Sequence, residues 1–192
     1  MPTRRVEVTT WYLEQLSAAD LRPAAAPPGE PVTVTRAEIP SPELNRFLYT
    51  AVGGDYHWVD RLGWTYEQWD NWLRRPGAET WIAHVSGTPA GYLELDPGPG
   101  GDVEIAYFGL LPAFTGRGIG GHLLSTGTAR AWDLADRWPG REPTARVRVH
   151  TCSTDGPTAL KNYQARGFRV HDVRVTAETL DHRPPGPWPG AR

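Results

Sequence analysis

The densest concentration of residues able to do chemistry is residues 104–124, EIAYFGLLPAFTGRGIGGHLL, where a strand runs into a glycine-rich turn that opens a long helix. Glycine lets successive backbone N–H groups face one concavity without Cβ obstruction, and a helix N-terminus adds unpaired donors and partial positive charge. Such a bend binds a pyrophosphate. Gly116, Gly118 and Gly121 also satisfy G-x-G-x-x-G, so a dinucleotide-binding turn has to be weighed. Against it, the glycines follow several predicted strands instead of opening a first strand–helix–strand unit. No acidic residue ends the strand after the helix, and Asp133 and Asp136 fall within the helix. A Walker-type loop needs Gly-Lys-Ser/Thr, whereas this turn continues Gly120-Gly121-His122. The plain alternative is a tight strand-to-helix turn that holds no ligand.

Elsewhere the reactive side chains are sparse. His150 and Cys152 stand two apart on a predicted strand, a spacing that could serve a Cys/His acyl-enzyme. With no third orienting group evident, they read as ordinary strand residues. The other histidines, His57, His84, His122, His171 and His182, show neither H-E-x-x-H nor any paired spacing, so no metal site is predicted.

These residues need a frame to position them. Residues 5–16 carry β-branched and aromatic residues in the manner of a strand, and residues 22–31 are rich in proline and alanine. Residues 1–31 therefore read as an N-terminal strand and extension, an appendage to the main fold. Residues 32–39 alternate as a half-buried strand, and Ser41-Pro42-Glu43 places a cap and first-turn proline before a helix to about Val52. Thr65 and Gln68 match a capping box, with Trp64 and Trp69 set as a hydrophobic staple; this helix is expected to stop at Pro76-Gly77. Residues 80–85, 90–96 and 103–111 read as three strands of an antiparallel meander. A helix is expected from Gly116 to about Arg137, with Ile119, Leu123, Ala131, Leu134 and Trp138 near one stripe. Residues 145–152 form a strand, 157–166 a short helix closed by Gly167, 168–176 a last strand, and 183–192 a loose Pro/Gly tail. Residues 32–182 are thus one α/β domain.

Two of these segments resemble the signatures of the GNAT superfamily of N-acetyltransferases. Thr115-Gly116-Arg117-Gly118-Ile119-Gly120 stands where that family carries Q/R-x-x-G-x-G/A after a strand and a proline, with Thr115 in place of Gln or Arg. The stretch from Gly156 to Phe168, GPTALKNYQARGF, is similar to N-x-x-A-x-x-x-Y-x-x-x-G-F, with Gly156 in place of Asn. The phrases FGLLP and HTCS are similar to a broad bacterial branch of the superfamily. The resemblance spans residues 32–176 and implies an α/β (α+β) fold, a mixed, mostly antiparallel sheet flanked by helices and splayed between its fourth and fifth core strands. It also implies that acetyl-CoA lies between the strand of Glu104 and that of His150. Main-chain amides from Thr115, Gly116, Arg117, Gly118, Ile119, Gly120 and Gly121 would hold its diphosphate. The backbone of Phe108, Gly109 and Leu110 would pair with the pantetheine, an N–H near Leu110 facing the thioester carbonyl.

The acceptor implied is a small-molecule primary amine, attacking directly in a ternary complex. An alkylammonium is mostly protonated at neutral pH and must lose a proton before attack. Glu104, on the strand that should line the acceptor side, is the candidate base, and alternation puts Glu104, Ala106 and Phe108 on one face. Glu94 is a rival, as base or as partner for the ammonium. Tyr163 would protonate the departing thiolate, unless it is core. Tyr56, Trp58, Trp64, Trp69, Trp72 and Trp81 form an aromatic-rich region where the family builds its acceptor pocket. Helical spacing and the staple assign Trp64, Trp69 and Trp72 mainly to packing, leaving Tyr56, Trp58 and Trp81 as wall candidates.

Composition bounds the rest. The 192 residues suit one domain, and a net charge of -2 gives no basic footprint for nucleic acid or an anionic lipid surface. Cys152 is the sole cysteine, and neither an export segment nor a run near the ~20 apolar residues of a membrane span is read, so the expectation is cytoplasmic. A homodimer is left open. Two other functions compete: a non-catalytic acyl-CoA-binding regulatory domain, and transfer to a protein N-terminus or lysine.

Overall fold

The computed structural model describes residues 3–29, 31–181, 184 and 186. In chain order they form β1 (Thr3–Gln15), β2 (Val32–Arg36), α1 (Pro42–Gly53), α2 (Tyr66–Leu73), β3 (Glu79–Val85) and β4 (Thr88–Pro97). The chain continues with β5 (Asp102–Leu110), α3 (Ile119–Trp132), α4 (Leu134–Arg137), β6 (Arg146–Cys152), α5 (Ala159–Ala165) and β7 (Arg169–Asp181).

Local chemistry sets the boundaries. Ser41 accepts from the amide of Leu44 at 3.2 Å, and Pro42 fills the first turn of α1. At α2 the capping box is present, and the rings of Trp64 and Trp69 meet at 5.1 Å as a staple requires. α2 ends at Leu73, short of Pro76. Ser86 and Gly87, both at positive φ, close the β3–β4 hairpin with the twist that a two-residue turn needs. The helix expected from Gly116 to Arg137 starts only at Ile119, because Gly116 and Gly118 hold left-handed backbone (φ 74° and 80°), and it breaks at Asp133 into α3 and α4.

The seven strands make one sheet in the order β2-β3-β4-β5-β6-β1-β7, antiparallel throughout except between β5 and β6. This is the mixed, mostly antiparallel sheet expected. The N-terminal strand departs from expectation: β1 is no appendage but lies inside the sheet, between β6 and β7. Its own residues explain why, since Val8, Leu13 and Gln15 are buried and an edge position would leave them in water. β7 takes the outer edge and runs five residues past the expected Thr176. Apart from Pro184 and Gly186, the tail expected over 183–192 lies outside the described residues, as does His182.

Two apolar layers hold the sheet and helices together. On one face, Leu93, Leu95, Ile105, Val147 and Val149 pack with Ile119, Leu123 and Leu124 of α3 and with Tyr163 of α5. On the other, Ile82 and Tyr92 pack with Leu48 and Val52 of α1. Among the described residues no helix is long and apolar enough to cross a membrane. α3 lies close against β4 because Gly127 has no side chain: a Cβ there would sit 2.5 Å from Cδ1 of Leu93. Gly127→Val is therefore expected to destabilise the protein by about 1–3 kcal/mol, read as a lower urea midpoint. An unchanged midpoint would show that α3 can ride off the sheet at no cost.

Candidate active site

β5 carries the feature on which the site turns. Its register against β4 pairs Leu95 with Ile105 and Glu94 with Tyr107, leaving Ala106 as an extra, bulged residue. A bulge bends its strand and increases the local twist. β5 accordingly runs beside β6 only across Asp102, Val103 and Glu104, paired with Arg146, Val147 and Arg148, and beyond Glu104 the two strands part. The splay thus falls between the fourth and fifth strands counted from β2.

The bulge also overturns the alternation expected of this strand, under which Glu104, Ala106 and Phe108 share a face. Glu104 lies opposite Asp96 and Tyr107 opposite Glu94, so these two share the α1 face; Ile105 and Phe108, opposite Leu95 and Leu93, turn toward α3. Leu111 donates to the carbonyl of Ala90 on the β4 side at 2.8 Å. Alternation then turns the backbone groups of Leu110 and Phe108 into the gap, where β6 no longer pairs with them.

The gap is the centre of a cavity of about 680 Å³. One end is lined by Thr115, Gly116, Gly118, Gly120 and Gly121. The amide of His122 bonds to the carbonyl of Gly118 at 3.4 Å and no side chain caps α3, so the preceding amides have no intrahelical acceptor. A side chain at Gly120 would project between Leu110, Phe108 and Asn162, each 3.5–3.9 Å from its Cβ. Glycine keeps that passage open, and the donors and space suit a diphosphate. Ile119 is buried in the core, so it can offer only backbone, and Arg117 lies outside the cavity lining. The Thr115 hydroxyl donates to Pro112 at 2.9 Å and is committed to its own turn.

Tyr163 reaches the cavity from the α3 face, its ring 5.9 Å from that of Phe108. Burial pushes its phenol well above the ordinary value, with Asp155 and Cys152 adding to the effect, so it stays protonated at neutral pH. The opposite end is lined by Tyr56, Trp58 and Tyr107 with Asp60.

The rest of the expected aromatic wall is occupied otherwise. Trp81 donates to Glu79 at 2.8 Å, beside Trp138 and Arg137 on the same buried carboxylate, away from the cavity. Glu94 is also buried, accepting from Arg61 and from Trp72 at 2.7 Å each and from Asn45 at 3.4 Å. The Arg61 guanidinium lies over Trp72, Tyr107 and Trp64 at 4.0, 4.4 and 4.6 Å from the ring centroids. Much of the aromatic-rich region is thus a cage filled by the chain's own arginine, with Glu94 as counter-ion. Neither Glu94 nor Trp81 is brought to the site.

Glu104 stops short of the cavity lining. Its carboxylate accepts from Arg148 at 2.7 Å and faces Nδ1 of His150 at 3.2 Å. Burial would raise its pKa, but the bonds to His150 and Arg148 prevail and hold it below the usual carboxylate range. His150 and Cys152 both line the cavity, contrary to their reading as ordinary strand residues. The His150 pKa is raised chiefly by its hydrogen bond to Glu104, against burial. Burial, assisted by Asp155, pushes the Cys152 thiol up and prevails over the opposing hydrogen bond to the Thr154 hydroxyl, 3.0 Å from Sγ; the rise disfavours a thiolate nucleophile. Both fall in the HTCS phrase, which carries no role for them by itself; their place follows from the parting of β5 and β6 beyond Glu104. Among the described residues no group of three His, Cys, Asp or Glu is disposed to hold a metal.

Arg61 and Glu94 are 5 % and 2 % exposed, and the amide of Arg61 donates to the Tyr49 hydroxyl at 3.2 Å. Arg61→Ala strands a buried carboxylate and is expected to cost about 3–5 kcal/mol in chemical denaturation. A loss below about 1 kcal/mol would mean that the pair is solvated.

Residues 45–168 match the model of the Acetyltransferase (GNAT) family. Over 79 residues, 41 % of this chain and 23 % of the relative, the sequence is 39 % identical to the mycothiol acetyltransferase of Mycobacterium marinum. A GCN5-related N-acetyltransferase from Kribbella flavida superposes with a TM-score of 0.63 at 17 % identity, covering 90 % of this chain and 58 % of that one. Another, from Sphaerobacter thermophilus, gives 0.59 at 20 %, covering 95 % and 54 %. The chain therefore matches under a quarter of the curated relative and little more than half of these two structures, whose likeness bears on the fold alone. The family match takes in the bulged strand, the glycine turn and the helix of Tyr163 together, and the chain belongs to the GNAT acetyltransferase family.

Proposed function

We propose that the protein transfers an acetyl group from acetyl-CoA to a small-molecule primary amine by direct attack in a ternary complex. The observation that carries this reading is the continuity of the cavity. It runs from the uncapped start of α3, through the strand gap with its turned-in backbone groups at Phe108 and Leu110, to an aromatic end at Tyr56 and Trp58. Acetyl-CoA, when bound, supplies the activated acyl thioester. The turn from Thr115 to Gly121 holds its diphosphate through main-chain donors, Arg117 and Ile119 contributing backbone only. Phe108, Gly109 and Leu110 hold the pantetheine as an added strand would be held. The Leu110 amide stands as donor to the developing oxyanion.

Tyr163 is the proton donor to sulfur: a neutral phenol in an apolar setting, across the gap from the aromatic end. The amine enters on the α1 face, where Tyr56 and Trp58 offer ring faces and Asp60 a carboxylate. The name of the Mycobacterium marinum relative points to a small-molecule acceptor for that protein, which agrees with a cavity of this size. Residues 32–182 carry this activity, with β1 of the N-terminal extension completing the sheet.

Calorimetry should show acetyl-CoA binding, and Gly120→Asp, which sets a carboxylate in the phosphate passage, should weaken it at least about tenfold. With acceptors drawn from a panel of amines, Tyr163→Phe should lower kcat by roughly 100-fold while leaving acetyl-CoA affinity intact. Binding without any acetylated product would favour an acyl-CoA sensor, and unchanged turnover in Tyr163→Phe would remove the acid assignment.

A further inference from the structure

Acetyl transfer requires an amine stripped of a proton, and the group best placed to take it is a histidine to which sequence reading assigns no catalytic role. We infer that His150 accepts the proton of the incoming ammonium and that Glu104 acts through it, as a positioning residue that fixes the imidazole. This inference rests on the acetyltransferase reading.

Three observations carry it. His150 lines the cavity and Glu104 does not. Glu104 is a carboxylate at neutral pH and can only accept, so Nδ1 of His150, 3.2 Å away, carries the hydrogen and the lone pair is left on Nε2. The other oxygen of Glu104 is held by Arg148 at 2.7 Å, which locks the carboxylate and leaves it a poor proton acceptor. The bulge supplies the setting, since Glu104 and Arg148 are the last pair before β5 and β6 part and His150 is the next residue on that face of β6. Tyr163 approaches from the opposite face, so an amine in the gap meets the base on one side and the thiol's proton donor on the other.

Charge around the imidazole sets the pH at which it works. Glu104 faces it from β5, Arg148 from its own strand and Asp155 from the loop before α5. The ring of Tyr12 of β1 lies tilted 5.9 Å away, itself flanked by His171, 6.4 Å off, and covered by Arg174 of β7 at 4.7 Å. The hydrogen bond to Glu104 is the largest influence; burial and Arg148 oppose it, Asp155 assists, and the net effect raises the pKa. Protonated His150 cannot accept, so activity should rise with pH through a limb lying above the ordinary histidine value of about 6.5.

The step balances. One proton passes from the ammonium nitrogen to Nε2 before attack, and the free amine forms the C–N bond as the C–S bond breaks. The second N–H proton, lost once that bond exists, is matched by the one that sulfur takes up. His150, its side chain 49 % exposed, returns its proton to water.

The test compares wild type, His150→Gln and Glu104→Gln with acetyl-CoA and a panel of alkyl, aryl, amino-sugar and lysine-peptide amines. With an alkylammonium acceptor, His150→Gln should lower kcat/KM about 100-fold or more and abolish the acidic limb of the pH profile, with acetyl-CoA affinity by calorimetry unchanged. Glu104→Gln should keep the limb but move it to lower pH, a shift that a purely structural role would not produce. A His150→Gln enzyme with the wild-type rate and limb would overturn the assignment, and loss of the limb in Glu104→Gln alone would return the role to the carboxylate. Wild type that binds acetyl-CoA yet acetylates no amine of the panel would defeat the acetyltransferase reading itself.

Discussion

One extra residue in one strand governs the rest. Ala106 has no partner on β4, and the bend it forces ends the pairing of β5 with β6 after three residues. The groups proposed for the chemistry lie at that separation. Backbone groups of Phe108 and Leu110 lose their strand partner and become available, and Tyr107 and Phe108 exchange the faces that regular alternation from Glu104 would give them. The gap joins the two sides of the sheet at the point where α3 begins. A regular strand would have closed the sheet and buried the same residues as plain core.

The electrostatics follow the same division. The most deeply buried carboxylates are structural: Glu79 gathers Arg36, Arg137 and two indoles, and Glu94 neutralises Arg61 inside a cage of rings. Burying these charges is tolerable because each is paired and hydrogen-bonded. Glu104 differs in having a partner that faces the cavity, so its charge is transmitted into the gap by an imidazole. The aromatic residues likewise divide into those gripping Arg61 and those left to line the cavity.

The sheet, its helices and the glycine turn are legible because they rest on local chemistry, Ser41 and Thr65 as caps and a glycine-rich bend between strand and helix; the left-handed Gly116 and Gly118, which delay the helix to Ile119, are not. The misreadings share a cause. A bulge has no signature in an alternating stretch such as VEIAYFGL, so the faces of β5 and the exposure of His150 were hidden. The interior place of β1 depends on pairing with strands over a hundred residues away, which periodicity cannot report. Glu94 and Trp81 were plausible site residues by type and neighbourhood, and only their buried partners, Arg61 and Glu79, remove them. Tyr163 and the glycines could be singled out because each lies in a motif of fixed spacing, and the structure brings them to one cavity.

Whether the parted strands receive the acyl donor is decided most directly by a crystal structure with acetyl-CoA bound. Pantetheine should run between β5 and β6 with hydrogen bonds to the backbone of Phe108 and Leu110, and the diphosphate should lie on the amides of Gly116 to Gly121. Coenzyme bound elsewhere, or β5 and β6 found zipped together past Glu104 with Ala106 in regular register, would contradict it.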